Sequence, residues 1–580
     1  MSPPCRTPSP SPRARHSTTA RAHPHRSEHT SRCRGDQTRA AHFAREDKPA
    51  SSAHRKNSNM DTDAVARLVS RYAAPTGPGL AVGVYRGGVL VSQFTAGLAS
   101  VEFGVPIDEH TRFDIASMSK QFAATAVLLL DRDGLVSLDD DIRAHLPELR
   151  LETPVTIAQC LQHTGGLREW LALAAVAGRS LTRITQDQTL EFVSGLSTLD
   201  FPPGAAFRYS NTGYVLAASL VHRVTGRTLG EFAAERIFRS LGMHRTLFRE
   251  DSRAVLPGFA YGYESIDDRV LRADSEECAV GDGGLVTSLS ELGPWLRFLR
   301  DGDVLGEDIR DTLVDSTPVF PDGSAGPYAY GIYHADLGGE STIGHAGAVA
   351  GYRSHLCYLP DHDLGVVVLA NHSAVRATVI ANAVARLAVG VPEAPVPAPA
   401  HDTESARAAA GWWIMPGADE SMRTEARLDG TLTLSGFQSG RFTLAEDGCW
   451  YGEDRDEGLQ LLIDGDRLVL RVHMRPGRDL TFERCAAPDA STPPPAGTYL
   501  SPELGTLVLI EPDGRFRLGL DIAGEVEAGP DGTFLVGPAS VRRDGDDLRL
   551  GIFGVDGMRF VRQPEGTALV GVPRGLDTAS

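Results

Sequence analysis

Ser117 and Lys120 are the two residues of this chain whose types and spacing most directly suggest chemistry. Only three of the 57 Lys and Arg residues are lysines, and Lys120 is the only lysine after Lys56. A guanidinium cannot lose its proton inside a protein, whereas an ammonium can. A lysine here therefore suggests a group that must be deprotonated. To act as a base near pH 7, its pKa must fall by roughly 3 units from about 10.4, which burial can supply.

The segment that follows Ser117 predicts a helix buried in a core. Residues 121–130 (QFAATAVLLL) are apolar on most sides, and residues i and i+3 of a helix are neighbours about 5–6 Å apart at Cβ. A serine at the N-terminus of such a helix has a free backbone N–H that can face an anion. A hydroxyl, a proton acceptor and an oxyanion donor would then meet, as in Ser-Lys nucleophilic catalysis. The competing interpretation is that Ser-x-x-Lys occurs here by chance.

Two further motifs carry groups that could assist this pair. Tyr209-Ser210-Asn211 offers a phenol that can relay protons and an amide that can hold a substrate amide. Gly344-His345-Ala346-Gly347-Ala348 has glycines that let a backbone edge approach a ligand closely. The competing interpretations are a core tyrosine with a turn asparagine, and a surface histidine.

The net charge of −18 is unevenly distributed along the chain. Residues 1–60 carry a net charge of +8 and the remainder −26, and an acidic body argues against a nucleic-acid partner. Seven scattered cysteines without a C-x-x-C pair indicate neither a disulfide framework nor a zinc site. No apolar run reaches the roughly 18 residues of a membrane span, and residues 1–59 lack the apolar core of a secretory signal. We therefore expect a cytoplasmic protein with no membrane span.

Composition and periodicity predict an α+β domain over residues 60–390. Strands are predicted at both ends of this segment, at 79–85 and 89–95 and again at 354–359 and 364–370, with helices between them. This pattern indicates an antiparallel sheet that carries a helical insertion. Residues 1–59 are expected to be a disordered basic leader, and a working protein that begins near Met60 is the simpler interpretation.

The rest of the chain predicts two small antiparallel β-barrel domains. Short alternating strands recur there, and Asp-Gly pairs separate them, as is typical of tight turns between antiparallel strands. The predicted boundaries are a Pro-rich linker at 391–405, a first barrel at 406–485, a linker at 486–496, a second barrel at 497–565 and a tail at 566–580.

The three motifs, in the order Ser-x-x-Lys, Tyr-x-Asn and His-x-Gly, resemble those of the serine β-lactamase and penicillin-binding protein superfamily. The similarity extends from about Gly79 to Asn371 and includes the stretches GLVSLDD (134–140) and LQHTGGL (161–167). The resemblance implies the following roles: Ser117 as the acylated nucleophile, Lys120 as its base, Tyr209 as the relay that protonates the leaving amine, His345 at the third-motif position, Asn211 orienting the substrate amide, and the backbone of Gly347 and Ala348 contacting the substrate. The oxyanion hole would be the N–H groups of Ser117 and Ala348, and no metal or organic cofactor is implied.

The third motif departs from the Lys-Thr-Gly form that recognises β-lactams. His345 and Ala346 replace the lysine and the hydroxyl residue that bind a substrate carboxylate in those enzymes. The loss of charge-assisted hydrogen bonds of ~1.5–3 kcal/mol each argues against a penicillinase.

The layout of a catalytic domain followed by two barrels resembles the bacterial D-aminopeptidase family, whose members release N-terminal D-residues from peptides and amides. The resemblance implies a loop of the last barrel that reaches the active site and selects a free amino terminus. The corresponding region here, 537–547, contains Asp544, Asp546 and Asp547, any of which could meet a substrate ammonium. The competing interpretation is that these are turn residues.

The leading hypothesis is therefore a serine D-aminopeptidase or amidase that acts on a small peptide, amide or ester substrate through an acyl-enzyme. The alternative within the enzyme class is a D-Ala-D-Ala carboxypeptidase or an esterase of the same superfamily. The alternative outside it is a catalytically silent penicillin-binding or interaction protein. The sequence also leaves open whether the protein forms a homodimer.

Overall fold

The computed structural model describes residues 60–564, except for 268, 393–397, 401, 417–420, 437–438, 453–458, 472–478, 490, 519–521, 537–538 and 553–554. The predicted leader (1–59) and tail (566–580) lie outside the described residues. Three folded parts follow one another along the chain: an α+β domain, an eight-stranded barrel and a nine-stranded sheet.

The strands of the α+β domain form one large antiparallel sheet and three small pairings. Their bounds are β1 (Leu80–Arg86), β2 (Val89–Ala96), β3 (Leu98–Ser100), β4 (Val105–Pro106), β5 (Phe113–Asp114), β6 (Leu247–Phe248), β7 (Tyr263–Ile266), β8 (Arg269–Arg272), β9 (Leu285–Thr287), β10 (Tyr333–Asp336), β11 (Ser341–Val349), β12 (Tyr352–Leu359) and β13 (Leu364–Ala370). The large sheet has the order β10-β11-β12-β13-β1-β2. The strands predicted at the two ends of the domain thus meet where β1 pairs with β13.

Helices cover both faces of this sheet. Their bounds are α1 (Thr62–Ser70), α2 (Lys120–Arg132), α3 (Ile142–His145), α4 (Ile157–Leu161), α5 (Trp170–Val176), α6 (Gln186–Ser194), α7 (Thr212–Thr225), α8 (Leu229–Ala233), α9 (Arg239–Leu241), α10 (Gly293–Asp301), α11 (Glu307–Asp315), α12 (Ala377–Val389) and, just before the barrel, α13 (Thr403–Ala409). Helices α1 and α12 pack on one face, with Val65 and Ile380 in a compact apolar cluster. The inserted helices form a larger core on the other face.

Helix α2 is the centre of that larger core. Its residues from Lys120 to Leu130 are all buried, as the apolar run predicted. It contacts α7, α8 and α11, and Phe122 stacks on Trp295 of α10 with ring centroids 4.1 Å apart. Because α2 is held on several sides, the residues at its N-terminus have a fixed position relative to the sheet. In the described part of the chain, no helix is both long and apolar enough to cross a membrane.

The first β unit is a closed barrel. Its strands are β14 (Gly411–Ile414), β15 (Ser421–Ala426), β16 (Thr431–Gly436), β17 (Gly440–Leu444), β18 (Trp450–Gly452), β19 (Gln460–Asp464), β20 (Arg467–Arg471) and β21 (Leu480–Cys485). Strand β14 pairs with both β15 and β21, which closes the ring. Trp413, Phe442 and Phe482 fill its interior.

The second β unit is a nearly closed sheet. Its strands are β22 (Gly497–Leu500), β23 (Leu507–Ile510), β24 (Arg515–Leu518), β25 (Ile522–Glu525), β26 (Glu527–Ala528), β27 (Thr533–Val536), β28 (Ala539–Asp544), β29 (Asp547–Ile552) and β30 (Val555–Arg562). The two edge strands, β25 and β26, are consecutive in the chain and separated only by Val526. The sheet must therefore curl until its edges meet. We call this unit the last barrel.

Candidate active site

Ser117 lies in a short 3₁₀ turn, Ala116–Ser119, directly before α2, at whose N-terminus the sequence predicted it. Ala116 has a φ of 48°, in the left-handed region that alanine rarely adopts. Its N–H donates to Asp114 Oδ1 at 2.9 Å, and Asp114 is paired with the buried Arg249 at 3.6 Å. These contacts hold an unfavourable backbone conformation that leaves Ser117 half-buried beside Lys120.

Lys120 is the first residue of α2, and its amine is completely buried. Nζ donates to Ser117 Oγ at 3.0 Å, to Asn211 Oδ1 at 2.7 Å and to the Asp282 carbonyl at 2.6 Å. Burial lowers the pKa of Lys120 to about 8, although nearby carboxylates oppose this shift. The amine thus has the position and the lowered pKa that a base for Ser117 would need.

Three carboxylates lie near this amine. Glu169 and Asp282 are buried, and Glu277 is half-buried. Trp170 Nε1 donates to Asp282 Oδ2 at 3.0 Å, and the charges of all three acids raise the pKa of Lys120. Burial raises the pKa of Glu277 to about 8. Burial also raises the pKa values of Glu169 and Asp282. The site is therefore rich in acids whose ionised form a positively charged ligand would favour.

Tyr209 lies on the other side of Ser117, with Lys120 Nζ 5.0 Å from its ring centroid. Burial raises the pKa of Tyr209 well above 10, so the phenol keeps its proton at neutral pH, although Ser117 opposes the shift. The hydroxyl is buried and forms no hydrogen bond of regular geometry with the described residues. His163 packs against the ring in a tilted arrangement, with centroids 4.3 Å apart. A protonated phenol held in this way can donate to a leaving group.

Asn211 connects Lys120 to Glu169. Its Oδ1 accepts from Lys120, its Nδ2 donates to Glu169 Oε1 at 3.2 Å, and its backbone N–H donates to Glu169 Oε2 at 2.7 Å. Glu169 also caps α5 by accepting from the N–H of Leu171. The orientation of the Asn211 amide is therefore fixed from both ends.

His345 lies on β11 and is buried, which excludes the interpretation as a surface histidine. Its Nδ1 donates to the Ala346 carbonyl at 2.5 Å, so its Nε2 is the nitrogen that accepts from the Tyr328 hydroxyl at 3.0 Å. Burial lowers the pKa of His345 to about 3. The third-motif position thus carries a neutral ring, which offers a substrate carboxylate no positive charge.

Gly347 is the point where β11 meets the turn that carries Ser117. A Cβ at this position would clash with the Ile115 carbonyl and the Ser354 hydroxyl. Ser354 Oγ also donates to that carbonyl at 2.7 Å. The described pairing of β11 with β10 ends at Gly344, and Ala348 lies further along β11, beyond that pairing. A backbone edge is thereby left beside the turn, as the glycines predicted.

Replacing Gly347 with alanine is expected to push β11 away from the turn. The clash is with backbone and cannot be relieved by a side-chain rotation, so we expect a loss of about 1–3 kcal/mol in unfolding free energy and slower labelling of Ser117 by a fluorophosphonate. Gly524→Ala is the matched control, because a Cβ at this strand glycine meets no atom within 4 Å. Wild-type labelling by Gly347→Ala would show that the close approach is not needed.

The three predicted specificity aspartates lie at the β28–β29 turn, and the ion pairs described for two of them are within the last barrel. Asp544 accepts from Arg549 at 2.9 Å, Asp547 accepts from Arg559 at 2.7 Å, and Asp546 is exposed in the turn between β28 and β29. That turn is at the far end of β29, roughly 17 Å from Ile552 at ~3.4 Å per residue. The catalytic domain instead contacts the β29–β30 end, where the Asp556 N–H donates to Asp200.

Several residues of the site could not be inferred from sequence motifs. Glu169 is the second residue after the LQHTGGL stretch, directly following Arg168. The only sequence signal at this position is an acidic residue that can cap a helix before an apolar run. Asp282 and Tyr328 have no motif. They reach the site because the segments around 282 and 328 pack against the start of α2, where Gly331 touches the backbone of Gln121.

Comparisons with known proteins agree with this geometry. A family model described as Beta-lactamase matches residues 65–390. A D-aminopeptidase of Cereibacter sphaeroides (strain ATCC 17029) is 30% identical over 489 residues, which cover 81% of this chain and 89% of that protein. A D-aminopeptidase of Gluconobacter oxydans is 32% identical over 337 residues, covering 57% of this chain and 62% of that protein. The octameric penicillin-binding protein homologue from Pyrococcus abyssi has a similar fold, with a TM-score of 0.53, 23% identity and coverage of 73% of this chain and 100% of that one.

Fold, site and comparisons define the class of protein as a serine hydrolase with a β-lactamase-like fold. The family model spans more than half of the chain, and the Cereibacter sphaeroides relative covers 81% of it. The chain therefore belongs to the beta-lactamase family, in the group that contains the bacterial D-aminopeptidases.

Proposed function

We propose that this protein is a D-aminopeptidase or amidase that releases N-terminal D-amino acids from small peptides or amides. The observation that carries the proposal is the buried Lys120 amine, 3.0 Å from Ser117 Oγ and with a pKa of about 8. A fraction of this amine is uncharged near neutral pH and can accept the Ser117 proton.

In the proposed reaction, Lys120 takes the proton of Ser117 while Oγ attacks the substrate carbonyl carbon. The backbone N–H groups of Ser117 and Ala348 receive the negative charge that develops on the carbonyl oxygen. Tyr209 gives its proton to the leaving amine as the C–N bond breaks, and the proton held by Lys120 restores the phenol. Water then attacks the ester, the D-amino acid leaves, and Ser117 regains its proton.

The acids around the site support a substrate with a free amino group. Glu169, Asp282 and Glu277 lie near the Lys120 amine, and His345 is neutral. These acids can accept hydrogen bonds from a substrate ammonium, whose charge favours their ionised form, whereas a substrate carboxylate would find no cation at the third motif. The names of the relatives, which are D-aminopeptidases, point to the same substrate class.

Three substrates assayed side by side test the proposal. We expect turnover of D-Ala-p-nitroanilide, weaker turnover of p-nitrophenyl acetate and little cleavage of an acyl-D-Ala-D-Ala peptide. Preferred cleavage of the acylated peptide would support the carboxypeptidase, and turnover of the ester alone would support the esterase. If none reacts and a fluorescent penicillin or fluorophosphonate fails to label Ser117, the protein is catalytically silent.

The pH dependence of the reaction is expected to follow Lys120. Below a pKa of about 8 the amine is protonated and cannot accept the serine proton, so kcat/KM should fall about tenfold per pH unit on the acid side. p-Nitrophenyl acetate is the suitable substrate because it has no titratable group of its own. A flat profile between pH 6 and 9 would exclude Lys120 as the base.

Location and assembly are further proposals. Four described cysteines are free (Cys160, Cys278, Cys357 and Cys449), which supports the predicted reducing, cytoplasmic location. A homodimer stays a prediction, which light scattering of the purified protein can test.

A further inference from the structure

The last barrel contacts the catalytic domain through Glu503, which lies in the loop between β22 and β23. Its carboxylate accepts from the Ser197 N–H at 3.1 Å and from Thr198 Oγ1 at 2.7 Å. It also pairs with Arg168 at 3.4 Å, and only 14% of its side chain is exposed. Glu503 is therefore nearly buried between the two parts of the protein.

Arg168 is bound from both sides of this contact. Within its own domain it pairs with Asp200 at 3.2 Å, and across the contact its guanidinium donates to the Asp556 carbonyl at 3.1 Å. The Asp556 N–H in turn donates to Asp200 Oδ1 at 2.9 Å. Arg168 is 4% exposed and Asp200 is fully buried, so neither charge is solvated by bulk water.

Glu503 adds negative charge beside the Arg168 guanidinium. Arg208 pairs with Asp200 at 3.2 Å, so two cations, Arg168 and Arg208, face one carboxylate of their own domain. Glu503 of the last barrel pairs with Arg168 directly, and the charge of Asp556 also acts on Asp200. Removing the charge of Glu503 would take away the carboxylate that this barrel pairs with the buried Arg168, which is costly in a low-dielectric environment.

The backbone of Arg168 leads directly to the active site. Its carbonyl accepts from Thr212 Oγ1 at 2.5 Å and from Ser210 Oγ at 3.4 Å. The next residue, Glu169, binds the backbone and side-chain nitrogens of Asn211. Two adjacent residues thus join the contact with the last barrel to the segment that carries Tyr209 and Asn211.

We propose that the last barrel acts as a clamp on the active site, in which Glu503 and Asp556 hold Arg168 so that Glu169 keeps Asn211 in place against Lys120. Glu503 and Arg168 are positioning residues, because they act through Glu169 and do not touch the reacting atoms. The inference rests on the proposed roles of Ser117 and Lys120. The last barrel then contributes to turnover through its contact with Arg168.

Glu503→Gln in the full-length protein tests the clamp, because glutamine keeps the shape and an acceptor oxygen but removes the charge. We expect kcat for p-nitrophenyl acetate and the rate of Ser117 labelling by a fluorophosphonate to fall about 10- to 100-fold, as for a small misplacement of catalytic groups, with KM nearly unchanged. Glu503→Asp, which keeps the charge, is expected to recover part of this loss. Each rate is divided by the fraction of protein that is labelled when the fluorophosphonate reaction is complete. Unfolded protein therefore does not contribute to the rate.

Glu511→Gln is the matched control, because this exposed carboxylate of the same barrel pairs only with Arg515 among the contacts described for it. Its kcat is expected to equal that of the wild type. Wild-type kcat and labelling rate in folded Glu503→Gln would overturn the clamp, as would an equal loss in the control. Failure of the proposed catalytic roles is recognised separately, because the wild-type protein itself would then react with neither reagent.

Discussion

Replacing Lys120 with methionine is expected to lower kcat/KM by about 10⁴- to 10⁶-fold, the range seen when one member of a catalytic serine unit is removed. Methionine has a similar length but no proton acceptor. Arginine at this position should fail in the same way, because its guanidinium stays protonated. The measurement is turnover of D-Ala-p-nitroanilide together with fluorophosphonate labelling of Ser117.

The same substitution is expected to leave the protein folded. Lys120 is buried, and its pKa is lower in the folded state than the ordinary 10.5. The buried amine therefore lowers the unfolding free energy. The cost is present in full below about pH 8, where the amine is charged in the folded protein, and it disappears as the pH rises from 8 to 10.5. Removing the amine abolishes this cost, which offsets the hydrogen bonds lost to Ser117, Asn211 and Asp282. Undiminished turnover in folded Lys120→Met would refute the mechanism.

Replacing Tyr209 with phenylalanine is expected to lower turnover of the anilide by about 10²–10⁴-fold, the usual contribution of a positioned general acid. Turnover of p-nitrophenyl acetate should fall much less, because nitrophenolate leaves without a proton. Thermal stability should hardly change, since the Tyr209 hydroxyl forms no regular hydrogen bond with the described residues.

Tyr85→Phe is the control for this substitution. Tyr85 is also a buried tyrosine, but its hydroxyl donates to the Leu289 carbonyl at 2.6 Å. We expect a loss of about 1 kcal/mol in unfolding free energy with both activities intact. If Tyr209→Phe slows the ester and the anilide equally, Tyr209 does not protonate the leaving group.

Local signals in the sequence were sufficient to predict the framework of the catalytic domain. The apolar run after Lys120 predicted α2, and the strands predicted at 79–85 and 89–95 form the β1–β2 hairpin, whose turn residues Gly87 and Gly88 have positive φ. Such features depend on a few neighbouring residues, so they are visible in one sequence. The divisions at 391–405 and 486–496 stay predictions, since they rest on composition.

Contacts between distant segments could not be predicted in the same way. Glu169 and Asp282 lie 113 residues apart in the sequence, and only the packing of α5 against the segment around 282 brings their carboxylates to one amine. The role of Asp544, Asp546 and Asp547 stays a prediction. The contact that the structure describes between the last barrel and the catalytic domain is made by Glu503 and Asp556, which no sequence motif indicated.

The left-handed backbone of Ala116 has a consequence for engineering this protein. A non-glycine residue in this region costs of order 1–3 kcal/mol, and here the contacts with Asp114 sustain it. Glycine would adopt the same φ without that cost but would also widen the range of conformations open to Ser117. Replacing Ala116 with glycine is therefore expected to raise thermostability and to lower the reactivity of Ser117. Substitutions that stabilise the protein without loss of activity are better sought in the β units.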